Sequence, residues 1–508
     1  MNGGGNMSEA NQTNEQVATV DKVAYVNSTR KFVKKFTGRQ MITTAEEVIT
    51  ADNVIDVVKE AMRIHEKNAS DIDYLWNYYK GDQPVYDRER ELRPELTEIV
   101  CENRANEIVN FKVGYQFAEP IAYVSAKADS PAEGIEKLND AMRVIGKQTI
   151  DKELGKWLYV GGVCCRLVEQ NRRPIIKIPF SLYTLDPRVS FVIHANNHTH
   201  MPLAGVYYSE NKDRKKVFSV FTDNYLFKWT DGDKKPKQYV NNFGMIPIIE
   251  YRCNLEREGC IEIVISLLDA VNNFDCDRLE AVSQFVQSLL VLYNCQIEEG
   301  TTANSIRKAG MILLKSMNGE KADVKNLSEQ LDQQQNQALK EDLYRAIHEI
   351  VGMPSQSDGN TGDSSNNGAV ILKNGWQGAE TRAKDFETEF YAPEMEMLWL
   401  LSKVCGETKE NKGGFKFDPV DVDIKMPRHN YDNLLSKSQT LTTMLGSDKI
   451  DPKYAYEACG LFTDVEEAHK AGIKWFEKMT ELNAKLEAAK AEREANRQQN
   501  QQDVKTDE

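Results

Sequence analysis

The sequence predicts an α+β protein of several domains, and three observations support this fold class. The chain has 508 residues, of which 41% are hydrophobic and 28% are charged, so it is long enough for more than one core and has a globular composition. Short alternating or β-branched runs fill the segment from Val163 to Trp229, a pattern typical of strands. Stretches with apolar residues at every third or fourth position precede and follow that segment, a pattern typical of helices.

The N-terminal part of the chain is predicted to begin with an arm and to continue with helices. Residues 1–43 form the arm, and residues 1–20 are rich in Gly, Asn and Gln and are expected to be disordered. Apolar residues then recur at helical spacing, and the turn chemistry of Gly81-Asp-Gln-Pro84 interrupts the pattern. The predicted helices of this part cover residues 44–68, Ile72–Tyr79, Glu95–Gly114 and Ile135–Leu158.

Short strands are predicted next, in a mixed block that ends near Pro247. Turn residues such as Asp186-Pro187 and Asp231-Gly232 separate the strands. The predicted strands are Val163–Leu167, Ile175–Ile178, Val189–His194, Ala204–Tyr208, Val217–Thr222 and Tyr225–Trp229.

A long helix is predicted after this block. The segment between Gly259 and Gly300 contains no Gly or Pro, and apolar residues recur at spacings of three to four as far as Tyr293. At about 1.5 Å per residue such a helix could reach roughly 50 Å. A helix of that length needs packing partners along its whole apolar face.

The segment after the long helix is predicted to contain a small insert, a second helix and a polar loop. Met311–Leu314 is a candidate strand of the insert. A helix is predicted over Ala338–Val351, because apolar residues recur there and Gly352 and Pro354 form a stop signal. Residues 355–368 contain no side chain suited to a core, so a flexible loop between two helices is expected.

The C-terminal part is predicted to be mainly helical. A helix resumes near Ala369 and runs to about Val404, with kinks expected at its interior Gly and Pro residues. Phe415–Lys425 alternates in the manner of a strand. Three further helices form a terminal bundle, and the last of them is expected to lose its order before Gln498. These helices cover residues 431–445, 452–459 and 464–490.

Three motifs near the N-terminus are the most informative part of the chain. They read Tyr-Leu-Trp-Asn-Tyr-Tyr-Lys-Gly-Asp-Gln-Pro at 74–84, Asn-Arg-Ala-Asn-Glu-Ile-Val-Asn-Phe-Lys-Val-Gly-Tyr-Gln-Phe at 103–117, and Glu-Pro-Ile-Ala-Tyr-Val at 119–124. This order of motifs resembles the N-terminal signature of siphophage-type portal proteins of tailed double-stranded DNA bacteriophages. In that family a tyrosine-rich helix leads into Y-x-G-x-Q, and a helix of the N-R-x-x-x-I-V type follows.

The resemblance covers about residues 44–425. The strand at 246–251 is similar to a family strand, and Ile265–Asn272 is similar to the start of the family's L-I-D-A-Y-N helix. Ala369–Lys373 matches the helix that follows the family's internal loop. The departures from the family pattern are modest and lie at Gln116, Ala118 and Val271.

The resemblance implies a portal fold of the α+β class that assembles as a ring. In this fold a wing, two stem helices, a clip, a tunnel loop and a helical crown follow one another along the chain. The implied divisions are the arm at 1–43, the wing at 44–258, stem helix 1 at 259–296, the clip at 297–336, stem helix 2 at 337–353, the tunnel loop at 354–368, a kinked wing helix and strand at 369–428, the crown at 429–490 and a disordered tail at 491–508.

The resemblance also implies which residues meet DNA and line the channel. The tunnel loop would project into an axial channel and contact DNA, and the stem helices would line or brace that channel. The implied loop residues are Ser355, Gln356, Ser357, Asp358, Asn360, Thr361, Asp363, Ser364, Ser365, Asn366 and Asn367. The implied stem residues are Leu268, Asn272, Leu279, Val282, Leu343 and Ile347. No catalytic residue, cofactor or metal ligand is implied.

The implied function is mechanical and not enzymatic. The protein would nucleate capsid assembly at one vertex, pass the genome inward during packaging and hold it until ejection. The implied partners are other copies of the chain in a dodecameric ring, the terminase large subunit, the head–tail connector or adaptor, the scaffold, the major capsid protein and weakly bound double-stranded DNA, with no membrane. The implied location is the portal vertex of the virion, after assembly in the host cytoplasm.

Charge and composition agree with a channel that DNA passes without sticking. The formal net charge is −14, which argues against a tight sequence-independent DNA binder, because such proteins replace counterions with Lys and Arg. The loop at 355–368 holds two Asp and no Lys or Arg, so weak polar contact is expected there.

The sequence also bears on compartment and membrane. Nine cysteines are scattered without Cys-x-x-Cys spacing, which indicates thiols in a reducing compartment. The first residues lack the charged and apolar regions of a signal peptide. No apolar run approaches the roughly 20 residues of a membrane span.

Two kinds of residue cluster could carry chemistry, and each has a plainer interpretation that is favoured. A group of three histidines could hold zinc, although no acid or Cys completes the set nearby in the sequence. Two carboxylate pairs imitate nuclease ligands but fall in helical patterns, where solvated faces are the rule. These residues are His194, His198 and His200, then Asp71 with Asp73, and Glu394 with Glu396.

Two alternative functions follow from what is present and absent. Basic clusters at 212–216 and 234–237 could touch DNA or scaffold, although hairpin tips are the plainer interpretation. No phosphate-binding glycine motif or nucleophile elbow is present, so a separate ATPase would supply energy for packaging. The alternatives to a portal are a non-channel virion adaptor or scaffold protein, and a metal-dependent nuclease of the packaging apparatus.

Overall fold

A computed structural model gives the conformation of most of the chain. It describes residues 36–88, 97–126, 132–171, 178–286, 290–293, 295–296, 315–316, 323–326, 333–354, 376–406, 415–428, 434–447, 449–462 and 464–506. The fold is α+β, as the sequence predicts. None of the helices described is both long and apolar enough to cross a membrane.

Ten α-helices are found within the described ranges. They are α1 Val54–Lys80, α2 Arg104–Phe117, α3 Ala132–Val144, α4 Lys147–Gly161, α5 Ile265–Val286, α6 Gln333–Val351, α7 Trp376–Gly406, α8 Leu434–Leu445, α9 Pro452–Cys459 and α10 Val465–Thr506.

Fifteen β-strands are found in the same ranges. They are β1 Thr43–Thr44, β2 Ala122–Ser125, β3 Val163–Gln170, β4 Phe180–Leu185, β5 Ser190–Ala195, β6 Pro202–Glu210, β7 Lys216–Phe221, β8 Tyr225–Thr230, β9 Lys237–Val240, β10 Ile248–Arg252, β11 Leu290–Tyr293, β12 Cys295–Gln296, β13 Lys315–Ser316, β14 Asp323–Asn326 and β15 Val422–Lys425.

The chain divides into two compact units, each built from separate stretches of sequence. The first unit comprises Met1–Thr37, Asp73–Val109 and Cys260–Val351. The second unit comprises Gly38–Ile72, Asn110–Gly259 and Gly352–Glu508. The first unit therefore contains both predicted stem helices, and the second contains the predicted wing sheet.

The second unit is organised around a six-stranded sheet with the order β1-β5-β6-β7-β8-β9. Strands β5 to β9 are antiparallel neighbours, and β1 pairs in parallel with β5. Side chains of a strand alternate between the two faces of its sheet. Phe191 and Ile193 accordingly pack in a core with the first half of α1, whereas Val192 packs in a second core with Ile246 and Ile248.

A three-stranded sheet, β10-β3-β4, and the pair β15-β2 complete the strands of the second unit. The predicted strands between Val163 and Trp229 are confirmed where the structure describes them, with ends shifted by a few residues. Ile175–Ile178 lies almost entirely outside the described residues, and Met311–Leu314 lies outside them completely. Strand β4 was not predicted from the sequence.

Two helix boundaries near the N-terminus differ from the prediction. The helix expected over 44–68 begins only at Val54, after the strand Thr43–Thr44, so the prediction is wrong for its first ten residues. From Val54 it continues through the helix expected over Ile72–Tyr79 as α1, because no Gly or Pro interrupts the intervening residues. The helix expected from Glu95 begins only at Arg104. Two backbone N–H groups before it donate to side chains, that of Val100 to Cys276 Sγ and that of Glu102 to Asn272 Oδ1.

The helix expected over Ile135–Leu158 is two helices, α3 and α4. Gly146 separates them with φ of 70°, a left-handed conformation that ends a helical run. The strand expected over Phe415–Lys425 is likewise shorter, because Pro419–Asp421 forms a 3-10 turn before β15.

The predicted long helix is shorter than the sequence pattern indicated. Helix α5 ends at Val286, and Leu290–Tyr293 forms a strand that pairs with β14. The run Leu289-Leu-Val-Leu-Tyr293 is as compatible with a strand as with a helix. Helix α6 starts five residues before the predicted Ala338, since its Gln-rich first turn has good helix propensity.

The C-terminal helix is longer than predicted. Helix α10 continues to Thr506 through the segment that was expected to form a disordered tail. The sequence after Gly472 contains no Gly or Pro and consists mainly of Ala, Glu, Lys, Gln and Arg. These residues favour a helix even without an apolar face.

Candidate functional site: the signature node and the stem helices

Three amide side chains in the first unit connect the sequence motifs to one another. Gln83 Nε2 donates to Asn103 Oδ1 at 3.1 Å, and Asn272 Nδ2 donates to Gln83 Oε1 at 2.6 Å. Gln83 and Asn272 are buried. We call Gln83, Asn103 and Asn272 the signature node.

The remaining polar atoms of the signature node bond to the backbone. Gln83 Nε2 also donates to Tyr78 O at 3.2 Å, and Asn103 Nδ2 donates to Tyr79 O at 3.0 Å. Asn272 Oδ1 accepts from the N–H of Glu102 at 2.8 Å. The node therefore fixes the end of α1, the segment before α2 and the middle of α5, because buried amides are costly unless they are paired.

Gly81 is required by the geometry of this node. Its φ is 103°, a conformation that residues with a side chain rarely adopt. A Cβ atom at this position would lie 3.1 Å from Asn103 Nδ2. The backbone conformation at position 81 and the close approach of Asn103 thus explain the glycine of the Y-x-G-x-Q motif. The hydrogen bonds of the signature node explain the glutamine two positions later.

A tyrosine and a carboxylate make a second link within the first unit. Tyr78 Oη donates to Asp269 Oδ1 at 2.8 Å. Burial raises the pKa of Asp269 to about 6, against the lowering effect of the Tyr78 hydrogen bond. Burial and the neighbouring carboxylate raise the pKa of Tyr78. Asp269 and Asn272 belong to the same D-A-x-N run, so one turn of α5 makes both links.

The two predicted stem helices contact each other through an ionic group. Lys340 Nζ on α6 lies 2.8 Å from Asp275 Oδ1 on α5 and 3.2 Å from Glu102 Oε2. Tyr344 Oη donates to Glu102, and the Arg104 guanidinium lies 4.6 Å from the centre of the Tyr344 ring. Burial would raise the pKa of Glu102, but Tyr344 and the nearby cations lower it overall.

The predicted stem residues occupy two different environments. Leu268, Asn272 and Ile347 are buried, and Leu343 is half-buried. Leu279 and Val282 are 42% and 40% exposed. The first group belongs to the core of the unit, whereas the second presents apolar surface that the described residues leave partly exposed.

The predicted DNA-contacting loop lies outside the described residues. This applies to each of its assigned positions, which are Ser355, Gln356, Ser357, Asp358, Asn360, Thr361, Asp363, Ser364, Ser365, Asn366 and Asn367. Most of the predicted clip at 297–336 also lies outside them, apart from β13, β14 and the start of α6. The structure does describe the helices that flank the loop, α6 and α7.

Helix α7, which follows the loop in the chain, is held to the second unit by four buried charges. Glu394 on α7 pairs with Lys147 at 2.7 Å and with Arg166 at 2.9 Å. Asp151 pairs with the same two cations, at 2.7 Å from Lys147 and 2.5 Å from Arg166. We call Lys147, Asp151, Arg166 and Glu394 the charged core.

Two tyrosines complete the charged core. Tyr123 Oη donates to Glu394 Oε1 at 2.6 Å, and Tyr251 Oη donates to Glu394 Oε2 at 2.8 Å. Burial would raise the pKa of Glu394, but Lys147 and Arg166 outweigh it and hold the pKa at about 2. The carboxylate is therefore charged, and both of its oxygens are bonded to side chains of α4, β2, β3 and β10. It has no oxygen left for the metal that a nuclease would need.

The first turns of α7 are also fixed within the second unit. The Trp376 ring lies 6.2 Å from the Phe111 ring and 5.9 Å from the Tyr115 ring. Tyr115 Oη donates to Glu380 Oε2 at 2.9 Å, and Arg428 Nη2 lies 2.6 Å from Glu380 Oε1. The first described residues after the predicted tunnel loop are therefore held in place by contacts within the second unit.

One of the three histidines considered as a zinc site, His194, lies close to an acidic residue that is distant in the sequence. Glu250 Oε2 lies 3.8 Å from His194 Nε2, although the two residues are far apart in the chain. His194 Nδ1 and His200 Nδ1 bond to backbone carbonyls, and His198 is exposed. Glu250 in turn pairs with Arg257 at 2.8 Å. His194 and Glu250 thus link β5 to β10, and no group of three or more His, Cys, Asp or Glu placed to hold a metal ion is found among the described residues.

Asn272 was predicted as a stem residue, and neither its place in the signature node nor the charged core was predicted. Glu394 was interpreted as part of a solvated helix face, and this interpretation is wrong because the side chain is fully buried. No role was predicted for Lys147, Asp151 or Arg166. The available signal was Arg166, the one charge in the otherwise apolar run Val163-Cys-Cys-Arg-Leu-Val168. A charge at such a position is buried when the strand is central, and buried charges require partners.

The α+β fold and the motif residues that meet in the signature node agree with the phage portal class, and a family model shows that class directly. The chain belongs to the family described as "Phage portal protein, SPP1 Gp6-like", whose sequence model matches residues 59–501. A comparison with curated proteins gives no match. Portal proteins of this family are generally structural rather than catalytic.

Solved structures give weaker likenesses. "Neck of empty GTA particle computed with C6 symmetry" is 13% identical, has a TM-score of 0.41 and covers 71% of this chain and 90% of that chain. "Neck of native GTA particle computed with C12 symmetry" is 12% identical, has a TM-score of 0.44 and covers 77% of this chain and 94% of that chain. Because both scores are below 0.5, the family assignment rests on the sequence match.

Proposed function

We propose that this portal protein assembles as a closed dodecameric ring, which forms the channel at one capsid vertex for packaging and ejection of the genome. The observation that carries the proposal is the family match, which spans residues 59–501 and so includes both stem helices. The signature node supports it, because the motif residues Gln83, Asn103 and Asn272 together lock α5 in place. A channel wall under load needs such a fixed helix.

Exposed apolar side chains of the stem helices support contact with neighbouring subunits. Leu279 and Val282 on α5 and Leu339 and Ile350 on α6 are each between 39% and 50% exposed. Ring-shaped assemblies need two complementary surfaces on every subunit. Burial of these residues in a subunit interface is worth roughly 25 cal/mol per Å² of apolar area.

The loop at 355–368 is proposed to contact DNA in the channel. Its composition is polar, with two Asp and no Lys or Arg, so it would touch a moving duplex without binding phosphate strongly. The chain enters the loop from α6 and leaves it toward α7. The charged core and the contacts of Trp376 fix α7, so the loop would have a firm base.

The remaining roles are assigned by segment. The clip at 297–336 would bind the terminase large subunit during packaging and later the head–tail connector or adaptor. The crown at 429–490 would lie inside the capsid, where scaffold and major capsid protein assemble around the ring. The protein would act at the portal vertex of the virion after assembly in the host cytoplasm.

Shortening the loop tests its proposed role. Deleting Ser357–Asn366 is expected to leave ring assembly intact, because this polar segment contains no side chain suited to a core. Packaging, or retention of packaged DNA, should fall. The measurement is the fraction of DNA-filled heads in an in vivo complementation assay.

A matched variant removes the same number of residues at the C-terminus, 499–508. It should package like the wild type. If the loop variant also yields normal numbers of stable filled heads, the loop is not the DNA-contacting segment.

A further inference from the structure

Two basic hairpins of the second unit lie at the same end of the six-stranded sheet. The β6–β7 turn spans residues 211–215, and the β8–β9 turn spans residues 231–236. In an antiparallel sheet with the order β6-β7-β8-β9, the first and third turns lie at the same end of the strands. In the sequence, strands β7 and β8 separate the two turns. In the fold, the two turns lie next to each other.

Hydrogen bonds fix the two turns against each other. The N–H of Asp231 donates to Lys216 O at 2.8 Å, which ties the second turn to the start of β7. Asn211 holds the first turn, because its side-chain oxygen accepts from the N–H groups of Asp213 and Lys215. The backbone positions of the two turns are therefore fixed relative to each other. Together they extend over about 14 Å, which is the width of the three strand spacings from β6 to β9.

Six exposed cationic side chains project from these turns and the start of β9. They are Lys212, Arg214, Lys215, Lys234, Lys235 and Lys237, and we call them the basic end. Among the described residues, none of the six takes part in an ion pair, whereas Lys216 beside them is paired with Glu66 at 3.0 Å. The basic end stands in a chain whose net charge is −14.

The acidic residues of the turns do not neutralise these cations. Asp233 Oδ2 accepts from the N–H of Thr230 at 2.9 Å, so its carboxylate belongs to the turn. Asp213 and Asp231 are the other two acids of the turns, and both are exposed. With the exposed Glu210 at the end of β6 included, six cations face four acids. The local excess of charge is positive, and a patch of one sign attracts polyanions.

The composition of the basic end fits a nucleic acid better than a protein. The turns read Asn-Lys-Asp-Arg-Lys at 211–215 and Asp-Gly-Asp-Lys-Lys-Pro at 231–236, without an aliphatic or aromatic residue. Protein interfaces have an apolar centre and are depleted in Lys. Phosphate contacts, in contrast, are made by Lys and Arg on flexible stems, and a 14 Å stretch of duplex carries about eight phosphate charges.

We propose that the basic end binds the phosphate backbone of double-stranded DNA, independently of sequence and outside the channel. The contact is electrostatic, and it places duplex DNA against the end of the six-stranded sheet that carries these turns. It goes beyond the proposed function, in which DNA is met only by the tunnel loop. It requires neither a ring nor a channel.

Binding to closed-circular plasmid DNA tests this proposal, because a covalently closed circle cannot thread a closed ring. The full-length protein is expected to retard plasmid in low salt, with an affinity that falls steeply as salt is added. The triple variant Lys212→Gln, Lys215→Gln, Lys234→Gln should bind at least about tenfold more weakly. The slope of log affinity against log salt should fall by about 2 to 3, at about 0.9 per phosphate contact.

The matched control changes the same net charge elsewhere in the second unit. Lys474, Lys478 and Lys485 are exposed on α10, and their triple change to Gln should leave plasmid binding unaltered. Thermal melting checks that both variants are folded. Equal losses in the two variants, or no binding by the wild type in low salt, would overturn the proposal. Binding of polyglutamate in preference to plasmid would also overturn it, and would indicate an acidic protein partner.

Discussion

Asn272 shows how a single side chain can join three distant motifs. Its amide nitrogen bonds to Gln83 and its amide oxygen accepts from the N–H of Glu102. Both partners are satisfied only if the end of α1, the segment before α2 and the middle of α5 are in place together. The family's motif glutamine and asparagines are therefore parts of one hydrogen-bonded group.

Replacing Asn272 with Ala should destabilise the protein by about 1–3 kcal/mol, because it leaves Gln83 and a backbone N–H buried and unpaired. The neighbouring Asn273 is exposed, so Asn273→Ala on the same helix should cost less than about 0.5 kcal/mol. Thermal melting of the two variants measures the difference. Similar melting temperatures for both would contradict the role of the signature node.

His65 is a buried residue whose titration should be visible in the stability of the protein. Its Nε2 lies 3.0 Å from Arg188 O, and its ring stacks on Phe191 at 4.3 Å. Burial lowers the pKa of His65 from 6.5 to about 4, with a further lowering by Lys216. The folded state therefore resists protonation, whereas the unfolded state takes up a proton as the pH falls through 6.5.

This contribution to the free energy of unfolding is fully present at neutral pH and is lost progressively as the pH falls from about 6.5 to about 4. The loss between about pH 7.5 and about pH 5 is about 2 kcal/mol. The variant His65→Gln keeps a donor for Arg188 O but does not titrate. Its stability should therefore fall less on acidification, as measured by thermal melting across this range. His198→Gln removes an exposed histidine and should retain the wild-type dependence. An unchanged dependence in His65→Gln would contradict the account.

At the scale of elements, the wing strands were predictable and the ends of the helices were not. Strands β5 to β8 follow from local alternation, because each side of the sheet packs in its own core. The start of α2 depends instead on a side chain of α5, since Asn272 takes the N–H of Glu102. Local periodicity carries no information about a partner more than a hundred residues away.

The charged core was hidden for a similar reason. Arg166 and Glu394 are far apart in sequence, so neither segment by itself shows that the two charges pair. Helix α10 illustrates the opposite case, because its propensity maintains a helix where the apolar pattern had ended. The tunnel-loop and clip residues remain predictions, since they lie outside the described residues.

The exposed apolar side chains of α5 give a prediction about assembly. Changing Leu279 and Val282 to Glu should leave the subunit folded, because both are about 40% exposed, but should prevent ring formation. Asn273→Glu adds charge at an exposed polar position of the same helix and should assemble normally. Size-exclusion chromatography with light scattering distinguishes rings from monomers. Normal rings from the double variant would place the subunit interface elsewhere.

At the scale of the whole molecule, charge is distributed unevenly. The chain is acidic overall, and the loop proposed to meet moving DNA has no cation. The basic end of the wing sheet carries the opposite charge on turns that are fixed by hydrogen bonds. Weak contact with the tunnel loop would allow DNA to slide through the channel. Stronger contact with the basic end would hold DNA at that site.

The central claim is that this chain forms a ring through which DNA passes, and electron microscopy of the purified full-length protein tests it most directly. Class averages viewed down the axis should show a closed ring, with twelve subunits around a central channel wide enough for duplex DNA. A monodisperse monomer or an open assembly in every salt condition, with and without scaffold, would contradict the claim.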